Sequence, residues 1–371
     1  VEHMLFKGTA RRTAAQIAGD IERVGGSMNA YTSREMTSYH IHMLKDDAAL
    51  GVEVLADMYL NSTLPQEEIE REREVILQEI GMCNDTPDDL IFDLHFETAY
   101  SGQAFGAPIL GRAQNINDMS REDLSGYIDR FYNAGDTVIS ASGNVDHEAF
   151  TAKVEALFGH LEPKKSEEPE PAAYQGGEMR LEKDLEQSHF ILGFKGVSRL
   201  DEDYFAAQAL STLLGSGMSS RLFQEVREKR GLVYSIFSYH SGYQDCGHFG
   251  IYAGTGPDHL DETLPVVCDE ILKLSSTLSE EEVERAKVQL KAGLLMGRES
   301  MMTRADQHAK HILFRGALIE AEELTRKIEA IDTDAIRKVA GRIFASHPTL
   351  SGLGPLKKME THDKLSRRLA A

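Results

Sequence analysis

Residues 63–76 read TLPQEEIEREREVI, and residues 277–290 read TLSEEEVERAKVQL. At an offset of 214, Leu64, Glu67, Glu68, Glu70 and Arg71 each meet an identical residue. A second block follows in the same order: LSGYIDRFYNAGDTV at 124–138 matches IRKVAGRIFASHPTL at 336–350, at an offset of 212. Two blocks in one order at nearly one offset indicate duplication of a whole domain, not a short solenoid repeat. Between the halves lies EPKKSEEPEPAAYQGG, residues 162–177, rich in Pro, Glu, Lys and Gly and poor in apolar residues, which reads as a linker. The expected division is an N-terminal domain over 1–165, a linker over 166–177 and a C-terminal domain over 178–371.

Each half mixes strands and helices without a βαβ rhythm. In the first, periodicity predicts an amphipathic helix over 13–24 and two strands in SMNAYTSREMTSYHIHML around the polar turn Ser33-Arg34-Glu35. Helices are expected over 46–61 and 67–82, the second with Pro65 near its first turn. A strand over 137–142 and a helix over 147–158 close the half. Hairpins followed by helix pairs point to an α+β fold: two duplicated domains, each a mainly antiparallel sheet packed with helices, expected on one face.

Composition narrows the function classes. The 371 residues are 41% hydrophobic and 27% charged, enough for two domains with cores of their own. No apolar run is long enough for a transmembrane helix. A net charge of −20 argues against nucleic acid and anionic membranes as partners, and leaves either a soluble acidic surface or attraction of a basic substrate. Cys83, Cys246 and Cys268 are odd in number and far apart, which predicts free thiols in a reducing, cytoplasmic compartment.

The candidate chemistry begins at the first residues. VEHMLFK reads as the end of a helix with Gly8 in the stop position, so the expectation is that this helix once began further upstream. Glu72 and Glu79 lie seven apart, two turns, and share a helix face. Glu67, Glu68, Glu70 and Glu74 stand on the same helix, and a solvated acidic face is the plain alternative. The duplicate weighs against that alternative. It retains the neighbouring acids yet carries Ala286 and Gly293 where the first half has Glu72 and Glu79.

The stretches VEHMLFKGT, VGGSMNAYTSREMTSY, EREREVILQEI, GAPILGR and SSRLFQEVREKRGLVYSI resemble the pitrilysin-type zinc peptidases, in the branch that includes mitochondrial processing peptidase and its bacterial relatives. That family carries His-x-x-Glu-His on a helix and a further Glu 76 residues after the second His; His3 plus 76 is Glu79. The resemblance implies a zinc metalloendopeptidase with one Zn²⁺ per chain. His3 and Glu79 are its expected metal ligands, and the remaining His falls two residues before Val1. Glu2 is the expected general base and Glu72 a supporting acid. Two His one turn apart plus a Glu from a second helix leave a position open for water, as metal-assisted hydrolysis needs.

The resemblance extends to the second half. Arg227 and Tyr234 match an Arg/Tyr pair that holds substrate and donates to the oxyanion; a helix-end Arg and a strand Tyr are the alternative. MNAYTS matches an edge strand to which a peptide adds, with backbone contacts from Asn29, Ala30 and Tyr31. Asp89 and Asp93, four apart, match acids that select Arg near the cleaved bond; a solvated pair is the alternative. His40 with His42 and His308 with His311 lack a carboxylate partner at a useful spacing and read as structural or surface residues. GSGMSSRLF lacks the ending of a phosphate loop and reads as a turn before a helix.

The leading expectation is hydrolysis of unfolded peptides or presequence-like segments, basic ones included, within a chamber formed by a homodimer. The rivals are a non-catalytic core-subunit relative that keeps the fold and loses the site, and a peptide-binding module. Four such domains make the family's working unit. Both the Glu2, His3, Glu79 set and the Arg227, Tyr234 set stand on this chain, which favours two identical chains over a specialised partner.

Overall fold

A computed structural model describes residues 1–164 and 169–370; residues 165–168, within the expected linker, lie outside the described residues. The chain forms two compact units, each assembled from separate stretches. The first comprises Val1–Met82, Ile109–Pro169 and Gly297–Leu318, the second Cys83–Pro108, Glu170–Met296 and Ile319–Ala371.

In the first unit the helices are α1 (Glu2–Leu5), α2 (Ala14–Glu22), α3 (Ala48–Asn61) and α4 (Gln66–Asp85), and the hairpin is β1 (Ser27–Thr32) with β2 (Thr37–His42). Thr13 starts α2 with a capping box: its hydroxyl accepts from the Gln16 N–H, and the Gln16 side chain accepts from the Thr13 N–H. The strands run antiparallel from Ser27 opposite His42 to Thr32 opposite Thr37. Alternation sends Met28, Tyr39 and Ile41 into a cluster with Leu5, Ile17, Ile21, Val54 and Met58. The other face carries Asn29, Tyr31 and His40. There the Tyr31 hydroxyl donates to Asp306 of the helix Met301–Arg315, and Lys310 pairs with the same carboxylate at 2.8 Å.

Residues 137–142 are not a strand. The segment has no ladder partner among the described residues, and a strand exists by hydrogen bonding to a neighbour. It is held instead through Thr137, whose hydroxyl donates to the Asn133 carbonyl at 2.7 Å and meets the Tyr59 hydroxyl at 2.6 Å.

The second unit is built on a five-stranded sheet of β3 (Gly177–Glu182), β4 (Ser188–Lys195), β5 (Val233–Gly242), β6 (Gly247–Thr255) and β7 (Thr349–Gly354), in the order β3-β7-β4-β6-β5. All pairs are antiparallel except β3 with β7. Helices cover both of its faces, not one. Phe190, Leu192 and Phe194 of β4 join the large core with Leu210, Leu264 and Val339, whereas Ile191 packs with Tyr252, Leu353 and Ile91 of α5 (Pro87–Ala99). The reason is legible in SHFILGFK: apolar at successive positions, it has no polar face to give to water.

The duplicated blocks occupy matched environments. Ile69 and Glu72 are the buried residues of α4, and Val283 and Ala286 are those of the helix Glu280–Gly297. Leu124 and Ile336 are buried on the corresponding later helices.

Beneath α5, the His95 Nδ1 lies 2.9 Å from the Ser351 hydroxyl and its Nε2 lies 3.1 Å from the Nε2 of His248. Burial lowers His95 to about 3 and His240 to about 4; for His240 the Val197 carbonyl and Asp201 offset part of it. The unfolded chain takes up protons on both near pH 6.5, and the folded chain does not. Stability is therefore full above pH 6.5 and falls as pH falls towards 4, by up to about 1.4 kcal/mol per pH unit for each histidine. Urea titrations at pH 7 and pH 5 should show a loss of a few kcal/mol, before the carboxylates begin to protonate. Equal stability at the two values would show that these histidines are solvated.

Candidate active site

Helix α1 is short, and packing, not length, holds it. Met4 joins Leu64, Ile69 and Leu124; Leu5 joins the cluster of Ile17, Ile21, Val54 and Met58. With 100° between successive residues, this turns His3 away from the core and brings Lys7 under it one turn later. Gly8 follows with φ +128°, a conformation that favours glycine. The chain beyond is tied down at buried Asp57, which accepts from the Thr9 hydroxyl and from Arg12, both at 2.8 Å. Burial pushes the Asp57 carboxyl up, but hydrogen bonds from Arg12, Thr9 and Asn61 outweigh this and hold it below the usual range.

The facing helix, α4, presents Glu72 and Glu79. Glu72 is buried between two cations or donors. Its Oε1 lies 2.5 Å from Lys7 Nζ, and its Oε2 lies 2.9 Å from His3 Nδ1. Burial raises this carboxyl; the hydrogen bonds and charges of Lys7 and His3 more than offset it, so the group stays ionised with a lowered pKa. A carboxylate on Nδ1 selects the tautomer with its lone pair on Nε2. That Nε2 stands 3.9 Å from Oε2 of the part-exposed Glu79.

Nitrogen and oxygen donors on one tetrahedral zinc, with bonds near 2.0–2.1 Å, stand about 3.3 Å apart. The His3–Glu79 pair is within a small side-chain adjustment of that spacing, and His3 is oriented as metal-bound imidazoles are. The residues present therefore fit zinc as two of its ligands. Among the described residues no three His, Cys, Asp or Glu side chains converge closely enough to hold a metal ion.

Glu2 is the neighbour of His3, and its carboxylate accepts a hydrogen bond from the Thr32 hydroxyl at the end of β1. β1 pairs with β2 alone among the described strands. The Ala30 N–H donates to the Asn29 carboxamide at 2.8 Å, so a side chain already stands beside the strand at this point.

The remaining expected residues belong to the second unit. Arg227 sits in a π-helical turn, Phe223–Glu228, with its guanidinium 4.9 Å from the Phe223 ring centroid. Tyr234 is on β5, 64% exposed. Asp89 is exposed on α5; Asp93, one turn on, is half-buried and accepts from Cys83 Sγ at 3.7 Å. Burial, with Asp93 beside it, pushes the Cys83 thiol up. Sequence reasoning passed over Lys7, Thr32 and Asp57. The i, i+4 spacing of His3 and Lys7 was the one local signal.

Paired α+β units of helix-covered, mainly antiparallel sheet define the class as the M16 peptidase fold, and solved structures share it. The crystal structure of a protease from Helicobacter pylori superimposes with a TM-score of 0.88 over 95% of this chain and 88% of that one, at 23% identity. Residues 1–113 match the family described as "Insulinase (Peptidase family M16)", and residues 118–290 match the "Peptidase M16 inactive domain". An uncharacterized zinc protease of Rickettsia felis is 41% identical over 96% of this chain and 86% of its own. A probable mitochondrial-processing peptidase subunit beta of Arabidopsis thaliana is 35% identical over 99% of this chain and 72% of its own. The chain belongs to peptidase family M16, whose members similar to it are named zinc proteases. No helix among the described residues is long and apolar enough to cross a membrane.

Proposed function

We propose that the protein is a zinc-dependent endopeptidase acting on unfolded peptides, with His3 and Glu79 as zinc ligands and Glu2 as general base. The observation that carries the reading is the His3 ring, tied through Nδ1 to a buried carboxylate and facing Glu79 through Nε2, with Glu2 next to it. The family motif assigns the further histidine ligand to the position two residues before Val1. When bound, the metal supplies Lewis acidity, which polarises the scissile carbonyl and makes water acidic enough to lose a proton near neutral pH.

The chain's own residues do the rest. Glu2 accepts the proton of the attacking water and passes it to the leaving amine nitrogen, while the Thr32 hydroxyl holds the carboxylate in place. Glu72 keeps His3 in the required tautomer. Tyr234 donates to the oxyanion and Arg227 holds the substrate. Asn29, Ala30 and Tyr31 align an extended peptide along β1, which requires the Asn29 carboxamide to yield the Ala30 N–H. Asp89 and Asp93 favour arginine near the cleaved bond. The domains are the duplicated halves on either side of 166–177, and the working form is a homodimer enclosing a chamber. Three unbridged cysteines accord with a reducing compartment such as the cytoplasm.

A single experiment tests this reading. Full-length protein, its mass measured by sedimentation, is given quenched peptides of equal length, one basic and one acidic. Cleavage of both should stop with a chelator and return with zinc. The basic peptide should be preferred, less so in added salt, and the mass should be twice that of the chain. Cleavage indifferent to chelation would overturn the zinc assignment, equal cleavage of both peptides the charge selection, and an active monomer the dimer.

A further inference from the structure

Among the described residues Lys7 has one ionic partner, Glu72, at 2.5 Å, and Glu72 has two partners, Lys7 and His3. The three side chains form a chain in which each carboxylate oxygen is committed to one neighbour. Glu72 is 9% exposed in its side chain, so water is a poor substitute for either partner. Lys7 is placed by its backbone: its N–H donates to the Met4 carbonyl at 3.1 Å, and the left-handed Gly8 ends the turn directly after it. The ammonium therefore approaches Glu72 from the turn below His3 and fixes which oxygen faces the imidazole.

We infer that Lys7 is a positioning residue for the metal centre: by holding Oε1 of Glu72 it orients Oε2 towards His3 Nδ1 and so presents His3 Nε2 to the metal. This rests on the reading of His3 and Glu79 as zinc ligands. Without Lys7 the carboxylate keeps one partner, is free to turn, and no longer specifies the ring orientation. A carboxylate that orients a metal-bound histidine typically changes metal affinity 10–100-fold, and an effect of Lys7 transmitted through Glu72 is bounded by that range.

The test is a double-mutant cycle read as zinc affinity, by competition with a chromogenic chelator, on full-length protein. Lys7→Met, which keeps the apolar stem, should weaken zinc binding by about 10-fold or more. In a Glu72→Gln background the same substitution should change affinity by less than about twofold, because the carboxylate through which Lys7 acts is already gone. Lys7→Gln must reproduce the loss, and carries the cycle if the methionine variant does not fold. Wild-type affinity in a folded Lys7 variant would overturn the inference, as would an equal loss in both backgrounds, which marks a general structural effect. Failure of the wild-type protein to bind zinc would overturn the metal reading itself, and the inference with it.

Discussion

Full-length protein carrying Glu2→Gln is expected to bind zinc as the wild type does and to lose peptide hydrolysis by about 10³-fold in kcat, within the range general acid–base groups supply. The substitution is nearly isosteric and leaves His3, Glu72 and Glu79 untouched. The amide oxygen still accepts from the Thr32 hydroxyl, so the side chain stays where the carboxylate was. What it removes is the ability to take a proton from water. Metal content by elemental analysis and turnover of a quenched peptide are the two measurements. Loss of zinc along with activity would make Glu2 a ligand or a structural residue. Normal turnover would remove Glu2 from the mechanism and sink its assignment as the general base.

Tyr234→Phe is expected to lower kcat by about 10²-fold, with a smaller change in KM, as the loss of an oxyanion donor does. The structure makes this a clean substitution. Tyr234 is 64% exposed on β5, and its hydroxyl has no hydrogen-bond partner among the described residues. Removing that oxygen takes nothing from the core, so the melting temperature should not move. A rise in KM with kcat unchanged would instead assign the phenol to substrate binding in the ground state. A fully active variant would leave Tyr234 a surface residue.

Where local chemistry dictates local structure, the sequence was a sufficient guide. The helix expected over 13–24 forms as Ala14–Glu22, and its start at Thr13 is fixed by a capping box whose partner, Gln16, lies three residues on. The hairpin follows from alternation in MNAYT and TSYHIH, and the duplication from two blocks in one order at nearly one offset, with matching buried positions in both copies. The strand expected at 137–142 failed for the complementary reason: its composition suits a strand, but a strand also needs a neighbour, which no local pattern supplies.

The same division runs through the candidate site. The sequence by itself set Glu72 and Glu79 on one helix face and Glu2 beside His3, since helical spacing requires no more than a count. The tertiary structure alone decided that Glu72 is buried, whereas Glu67 on the same helix is exposed. Burial of a single carboxylate depends on the cations that meet it, and its partners Lys7 and His3 lie more than sixty residues away. Only the fold, likewise, brought the Thr32 hydroxyl to Glu2 and Asp306 to Tyr31. Helical period and capping act over a few residues and can be read from them. The environment of a charge is set by whatever the chain folds against it, which is a property of the packed molecule.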